Sequence, residues 1–144
     1  MNMGAPLATP SGILFPANAS GKSYISLNAH RGNGNRRYKN KWGPHYTPPM
    51  EHALFCRADS SAWRDGRGHH WAIHANGTVE IGDRGEIIAK FPFNANSGDP
   101  WHGYPVEPQD GRDNDCPPDA IVLAWINATT VSETLGFRIM RRRV

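Results

Sequence analysis

Four side chains suited to acid–base chemistry fall within a short stretch of this chain: His70, His74, Glu80 and Lys90. A histidine can exchange a proton near neutral pH, and a carboxylate beside it can orient the ring. A lysine nearby can stabilise the negative charge that develops when a phosphodiester is attacked. We therefore predict a metal-independent phosphodiesterase site here, with His102 as a second acid or base. The alternative interpretation is an ordinary polar strand face in contact with solvent.

The backbone that carries these side chains is predicted from the alternation of apolar and polar residues. Residues 75–77 (Ala-Asn-Gly) and 83–85 (Asp-Arg-Gly) each place a glycine at the third position of a tight turn. The pattern indicates three antiparallel strands joined by these turns, at about 70–74, 78–82 and 86–91.

The register of this meander decides which side chains lie together. Three-residue turns place the apolar side chains of all three strands on one face of the sheet. On the other face, Glu80 then lies diagonal to both His70 and His74, within reach of long side chains. Lys90 lies on the third strand of the same face. The predicted site is therefore the polar face of the meander.

The spacing of His70 and His74 also invites a metal-site hypothesis, which the strand geometry opposes. Four residues of strand span about 13 Å, too far for two imidazoles to bind one zinc ion directly. The chain contains no CxxC or HExxH motif. We predict no metal site and no cofactor.

A second group of residues has the composition of a nucleic-acid-binding surface. Residues 30–49 mix cationic and aromatic side chains with many Gly, Asn and Pro and show no periodicity, which indicates a long basic loop. The side chains predicted to bind nucleic acid are Arg31, Arg36, Arg37, Lys39, Lys41 and Trp42, together with Tyr104 of the WHGYP segment. Interleaved cations and aromatic rings suit single-stranded RNA. The alternative is a solvated loop with Trp42 docked on the core.

The remaining elements indicate an α+β fold. The short apolar run at 53–57 predicts another strand, while two helices are predicted at about 117–127 and 131–142, packed on the apolar face of the meander. A chain of 144 residues is predicted to form one domain. Residues 1–20 are expected to be loosely ordered, with 13–15 docking as an edge strand.

Charge and composition limit the function classes. The net charge of +3 hides a segregation, because residues 1–50 carry six basic side chains and no acid, while residues 98–119 carry six acids and one arginine. No apolar run approaches the roughly 18 residues of a membrane span, and no signal peptide is recognised. We therefore expect a cytoplasmic protein that does not bind membranes. Cys56 and Cys116 are expected to be free thiols.

Two functional hypotheses follow. The first is a small nucleic-acid-directed enzyme, a metal-independent ribonuclease or toxin-like domain that uses histidine and glutamate for proton transfer. The second is a non-catalytic accessory protein, for example one encoded by a phage or mobile element, that binds nucleic acid or a protein partner. Nucleic acid is the favoured partner, RNA in preference to DNA, while the acidic segment 98–119 could instead face a basic protein.

Overall fold

The computed structural model describes residues 4–32, 40–96, 98–110 and 115–142 of the 144-residue chain. The strands are β1 (Leu7–Thr9), β2 (Gly12–Phe15), β3 (Tyr24–Leu27), β4 (His70–Ile73), β5 (Ile88–Phe91) and β6 (Tyr104–Val106). The helices are α1 (Pro48–Ser60), α2 (Asp119–Asn127) and α3 (Glu133–Met140). Two antiparallel sheets, β1-β2-β3 and β4-β5-β6, and two C-terminal helices confirm the predicted α+β class.

Residues 13–15, which were predicted to dock as an edge strand, lie instead in a central strand. Strand β2 is the centre of the first sheet and pairs with both β1 and β3. The turn between β1 and β2 is closed by Thr9, whose hydroxyl donates to the carbonyl of Gly12 at 2.7 Å. Only glycine fits at position 12, because a Cβ there would lie 2.0 Å from the backbone oxygen of Ser26. This local turn chemistry defines the connection between β1 and β2.

The strand predicted near 53–57 was wrong, because these residues lie in the middle of α1. Two prolines occupy the first turn of the helix, where their missing N–H groups are tolerated. The residues that α1 buries are Glu51, Leu54, Phe55 and Ala58, which is the spacing of one helical face. A short apolar run cannot by itself separate a strand from a buried helix segment.

The strand predicted near 78–82 was also wrong, since β4 pairs directly with β5 rather than with an intervening strand. The chain leaves β4 through Ala75, Asn76 and Gly77, all of which have positive φ angles (50°, 57° and 70°). Three such residues in succession turn the backbone out of the sheet. Ile81 is nevertheless buried in the core, and its N–H donates to the carbonyl of Glu86 at 2.8 Å.

Helix α1 packs against β4 and β3 and thereby joins the two sheets. The aromatic ring of Phe55 from α1 lies 5.3 Å from that of Phe91 in β5. Helix α2 reaches the same core through Trp125, whose ring lies edge-on to Trp63 at 5.9 Å. Helices α2 and α3 pack on each other. No helix among the described residues is long and apolar enough to cross a membrane.

Candidate functional site

A polar cavity of about 510 Å³ opens beside the second sheet. Its lining residues are Asp65, Gly66, Arg67, His69, Trp71, Lys90, Cys116 and Pro118. Trp71 of β4 and Lys90 of β5 are directly paired, so their side chains lie on the same face of the sheet. We refer to this space as the Lys90 cavity.

The loop that leads into β4 is held by the carboxylate of Asp65. One oxygen accepts the backbone N–H groups of Arg67 at 2.8 Å and His69 at 3.1 Å. The other oxygen accepts the indole N–H of Trp71 at 3.0 Å. Burial alone would raise the pKa of Asp65, but these hydrogen bonds, with that from Trp71 the strongest, bring it below its usual range. The carboxylate therefore stays ionised and fixes one wall of the cavity.

Lys90 is only 6% exposed, although its side chain lines the cavity. Its amine lies 5.4 Å from the centre of the Trp71 ring, a cation–π distance. Burial lowers the pKa of Lys90, while the carboxylates of Asp115 and Asp65 partly oppose that effect. A partly desolvated ammonium group is stabilised by any anion that enters the cavity.

His69 is fixed in one neutral form. Its Nδ1 accepts the backbone N–H of Phe93 at 2.9 Å, so in the neutral ring the proton is on Nε2. Burial is the main cause that lowers the pKa of His69, and the charge of Lys90 adds to it. Protonation of Nδ1 would also break the bond from Phe93. His69 is therefore a hydrogen-bond donor near neutral pH rather than a base.

The predicted catalytic histidine His70 lies on the opposite face of the sheet from the Lys90 cavity. This placement follows from strand alternation, since successive side chains of a strand point to opposite faces. His70 pairs with Phe91 and the next residue, Trp71, pairs with Lys90, so the two pairs lie on opposite faces. His70 is 2% exposed, its ring lies edge-on to Trp101 at 4.8 Å, and its Nε2 lies 3.3 Å from a carboxylate oxygen of Asp59. Burial lowers the pKa of His70. It is a core residue.

The other predicted catalytic residues also have separate surroundings. His74 Nδ1 lies 2.8 Å from the hydroxyl of Tyr46. Glu80 is exposed and lies outside any strand, so the predicted diagonal contact with the histidines does not form. The ring of His102 lies 6.4 Å from that of His30. Lys90 is the one predicted catalytic residue among those that line the cavity.

Arg31, predicted to bind nucleic acid, forms an ion pair with Glu51 of α1. Glu51 is fully buried and also accepts hydrogen bonds from Tyr24 at 2.6 Å and Ser26 at 2.7 Å. Burial raises the pKa of Glu51, and the bonds from Tyr24, Arg31 and Ser26 oppose that rise. Arg31 also donates to the backbone carbonyl of Tyr46. Its guanidinium group therefore stabilises the fold.

Lys41 and Trp42 of the predicted basic loop also point into the protein. Lys41 is 7% exposed and its amine donates to the carbonyl of Ala29 at 3.0 Å. Trp42 is 1% exposed, and its indole N–H donates to the carbonyl of Gly103 at 3.1 Å. The predicted ligands Arg36, Arg37 and Lys39 lie outside the described residues. Tyr104, by contrast, is partly exposed and pairs directly with Lys90 across β5 and β6.

Sequence reasoning missed Asp65, Arg67 and His69. Position 69 shares the period-two alternation of Trp71, which was the signal available for placing it on the same side as that residue. Among the described residues, no group of three His, Cys, Asp or Glu side chains could hold a metal ion. Neither Cys56 nor Cys116 forms a disulfide bond among the described residues.

Comparison with known proteins does not add a family to this description. No family model matches the chain, and neither the curated proteins nor the solved structures gave a significant match.

Proposed function

We propose that this protein binds single-stranded nucleic acid, RNA in preference to DNA, and that the Lys90 cavity receives a backbone phosphate. The observation that carries the proposal is the buried amine of Lys90 inside an open cavity, with Arg67 at its rim. A phosphate oxygen accepts hydrogen bonds from ammonium, guanidinium and imidazole N–H groups alike. His69 supplies the third of these donors through its Nε2.

The cations at the cavity, Lys90 and Arg67, can bind an anionic ligand, in competition with the carboxylates of Asp65 and Asp115 that act on Lys90. The carboxylate of Asp65 already accepts three N–H groups. The chain as a whole has a net charge of +3 and an isoelectric point of about 9.1. A basic protein attracts a polyanion over a distance set by the salt concentration.

The geometry favours binding over cleavage. Metal-independent cleavage of RNA needs a base within reach of the attacking hydroxyl. His69 has its Nδ1 engaged by Phe93 and its proton on Nε2, while the carboxylate of Asp65 has a lowered pKa and is occupied by N–H donors. Neither group is suited to accept a proton from substrate. The proposed activity is therefore binding without turnover.

One experiment tests binding and cleavage together. The affinity for a fluorescently labelled single-stranded oligoribonucleotide is measured by anisotropy for the wild type, Lys90→Met and Arg84→Ala. Arg84 is exposed and does not line the cavity, so it controls for the loss of one positive charge. The length of the RNA after incubation is read on a gel, and the DNA oligomer of the same sequence is titrated in parallel.

We expect Lys90→Met to weaken RNA binding about tenfold, because one charge-assisted contact to phosphate is lost. Arg84→Ala should bind nearly as tightly as the wild type, the RNA should remain intact, and DNA should bind more weakly. Equal losses in the two variants would overturn the placement of the phosphate. Cleavage of the RNA that depends on Lys90 would support the enzyme hypothesis instead.

A further inference from the structure

We infer that a nucleobase of the bound strand stacks on a group of three rings beside the Lys90 cavity, formed by His30, His102 and Tyr104. The inference rests on the proposed function and specifies what the ligand presents next to its phosphate. The His30 ring lies 5.2 Å from that of Tyr104 with an angle of 27° between their planes. It lies 6.4 Å from that of His102 with an angle of 13°. We call these residues the ring group.

The ring group is connected to the cavity through the second sheet, although none of its three side chains is among the lining residues. Tyr104 in β6 is paired directly with Lys90 in β5, so both side chains leave the same face on neighbouring strands about 4.8 Å apart. A single ribose separates a phosphate from its base, so a nucleotide with its phosphate at Lys90 can bring its base to the next strand. The carboxylate of Asp115 acts on the pKa of both Lys90 and Tyr104.

The ring group is held in place before any ligand binds. The Nδ1 of His30 lies 2.7 Å from the backbone carbonyl oxygen of Asn40, to which it donates. The side-chain amide of Asn40 in turn donates to the carbonyl of Pro105 in β6 at 2.6 Å. His30 is thus tied to the strand that carries Tyr104. A ligand that stacks on fixed rings loses less free energy to ordering the protein.

The exposure and the charge state of the three rings also suit stacking on a base. All three side chains are partly exposed rather than buried in the core. Burial lowers the pKa of both His30 and His102, so that both rings are neutral near pH 7. Neutral aromatic rings stack on any base, which gives affinity with little sequence preference. Trp42, the more obvious stacking candidate in the sequence, is only 1% exposed and cannot serve.

The test compares two ligands that share a backbone. One is a single-stranded oligoribonucleotide, and the other is an abasic ribose-phosphate chain of the same length. We expect the wild-type protein to bind the base-bearing ligand about tenfold more tightly. Equal affinity of the wild type for both ligands would overturn the ring group as a base site while the proposed phosphate site stands. Failure of both ligands to bind would overturn the proposed function itself.

Variants at Tyr104 test whether the ring group causes the preference for the base-bearing ligand. Tyr104→Leu should remove most of the preference for the base-bearing ligand and leave the affinity for the abasic chain unchanged. Tyr104→Phe keeps the ring and loses only the hydroxyl, so it should retain the preference. Thermal unfolding of both variants reports whether they fold. A Tyr104→Leu protein that folds and keeps the full preference would contradict the inference, as would a Tyr104→Phe protein that loses it.

Discussion

The amine of Lys90 lies 5.4 Å from the centre of the Trp71 ring, and the two residues face each other directly across the β4–β5 pair. The indole N–H of Trp71 is held by Asp65, so the ring that supports the ammonium group is itself fixed. The second sheet therefore presents a cation at a defined place in an open cavity. The proposed phosphate site depends on this relationship.

Arg67 tests the electrostatic part of the proposal. It is exposed at the rim of the Lys90 cavity, so Arg67→Ala should change stability by less than about 0.5 kcal/mol. If Arg67 neutralises one phosphate, the slope of log K against log salt concentration should fall by about 1. Anisotropy titrations at several salt concentrations measure that slope. Arg84→Ala is the matched control, and an equal fall in its slope would show a general charge effect.

A second prediction concerns which ring nitrogen of His69 carries the proton. Because Nδ1 accepts the N–H of Phe93 and the pKa of the ring is lowered by burial, His69 should be neutral with its proton on Nε2 at pH 7. Long-range proton–nitrogen correlation spectra of the imidazole distinguish the two tautomers. The signals should stay constant as the pH falls from 8 to 7. A proton on Nδ1, or a ring charged at pH 7, would contradict the assignment and restore His69 as a candidate base.

The ion pair between Arg31 and Glu51 gives a third prediction, which concerns stability. Arg31→Met should lower the free energy of unfolding by about 3 kcal/mol, because it leaves the carboxylate of Glu51 buried without its cation. Urea denaturation measures the loss. The double variant Arg31→Met with Glu51→Gln should recover part of it, since no buried charge then remains. Weakened RNA binding at unchanged stability would instead favour the surface role that the sequence suggested.

Asp59 gives a fourth prediction, on pH dependence. Burial would raise the pKa of Asp59, but hydrogen bonds from Ser20, Lys22 and Asn18 outweigh it and bring the pKa to about 2. A carboxyl whose pKa is lower in the folded protein than in the unfolded chain stabilises the fold above pH 4. That stabilisation is lost as the pH falls from about 4 to 2.

Thermal unfolding between pH 5 and pH 2 measures this effect. The wild type should lose stability in the interval from pH 4 to pH 2, and Asp59→Asn should lose less there. Asp83→Asn, which removes an exposed carboxylate, is the matched control. The same acid sensitivity in Asp59→Asn and in the wild type would show that other groups cause the loss.

How far the sequence predicts this fold depends on whether the signal is local. The alternation around Trp71 and Lys90 predicts β4 and β5, and the C-terminal helices begin and end within two residues of their predicted limits. The direct pairing of β4 with β5 could not be predicted from such local signals. It depends on positive φ angles at Ala75 and Asn76, which the composition of a standard hairpin turn does not reveal.

The residues of the candidate site also divide into those that the local sequence indicates and those that it does not. Lys90 was singled out because a lysine can stabilise the charge of an attacked phosphodiester, and the strand that carries it was predicted from local alternation. His70 was misplaced because the predicted register assigned it to a solvent-facing side that α1 covers. The inward bonds of Arg31, Lys41 and Trp42 come from long-range partners that composition cannot indicate. The alternation with Trp71 could have placed His69 beside the cavity, but its role as a hydrogen-bond donor depends on the bond from Phe93.

The most direct test of the account is an NMR titration of the lysine side chains. The chain contains four lysines, so each Nζ and Cε signal can be assigned by substitution. Burial holds the pKa of Lys90 below its usual range in the free protein, and a phosphate at the amine should raise it. We predict that saturating single-stranded RNA raises the pKa of Lys90 and leaves the Nζ chemical shift of Lys22 at neutral pH unchanged. An unchanged Lys90 signal in a protein saturated with RNA would contradict the proposed site.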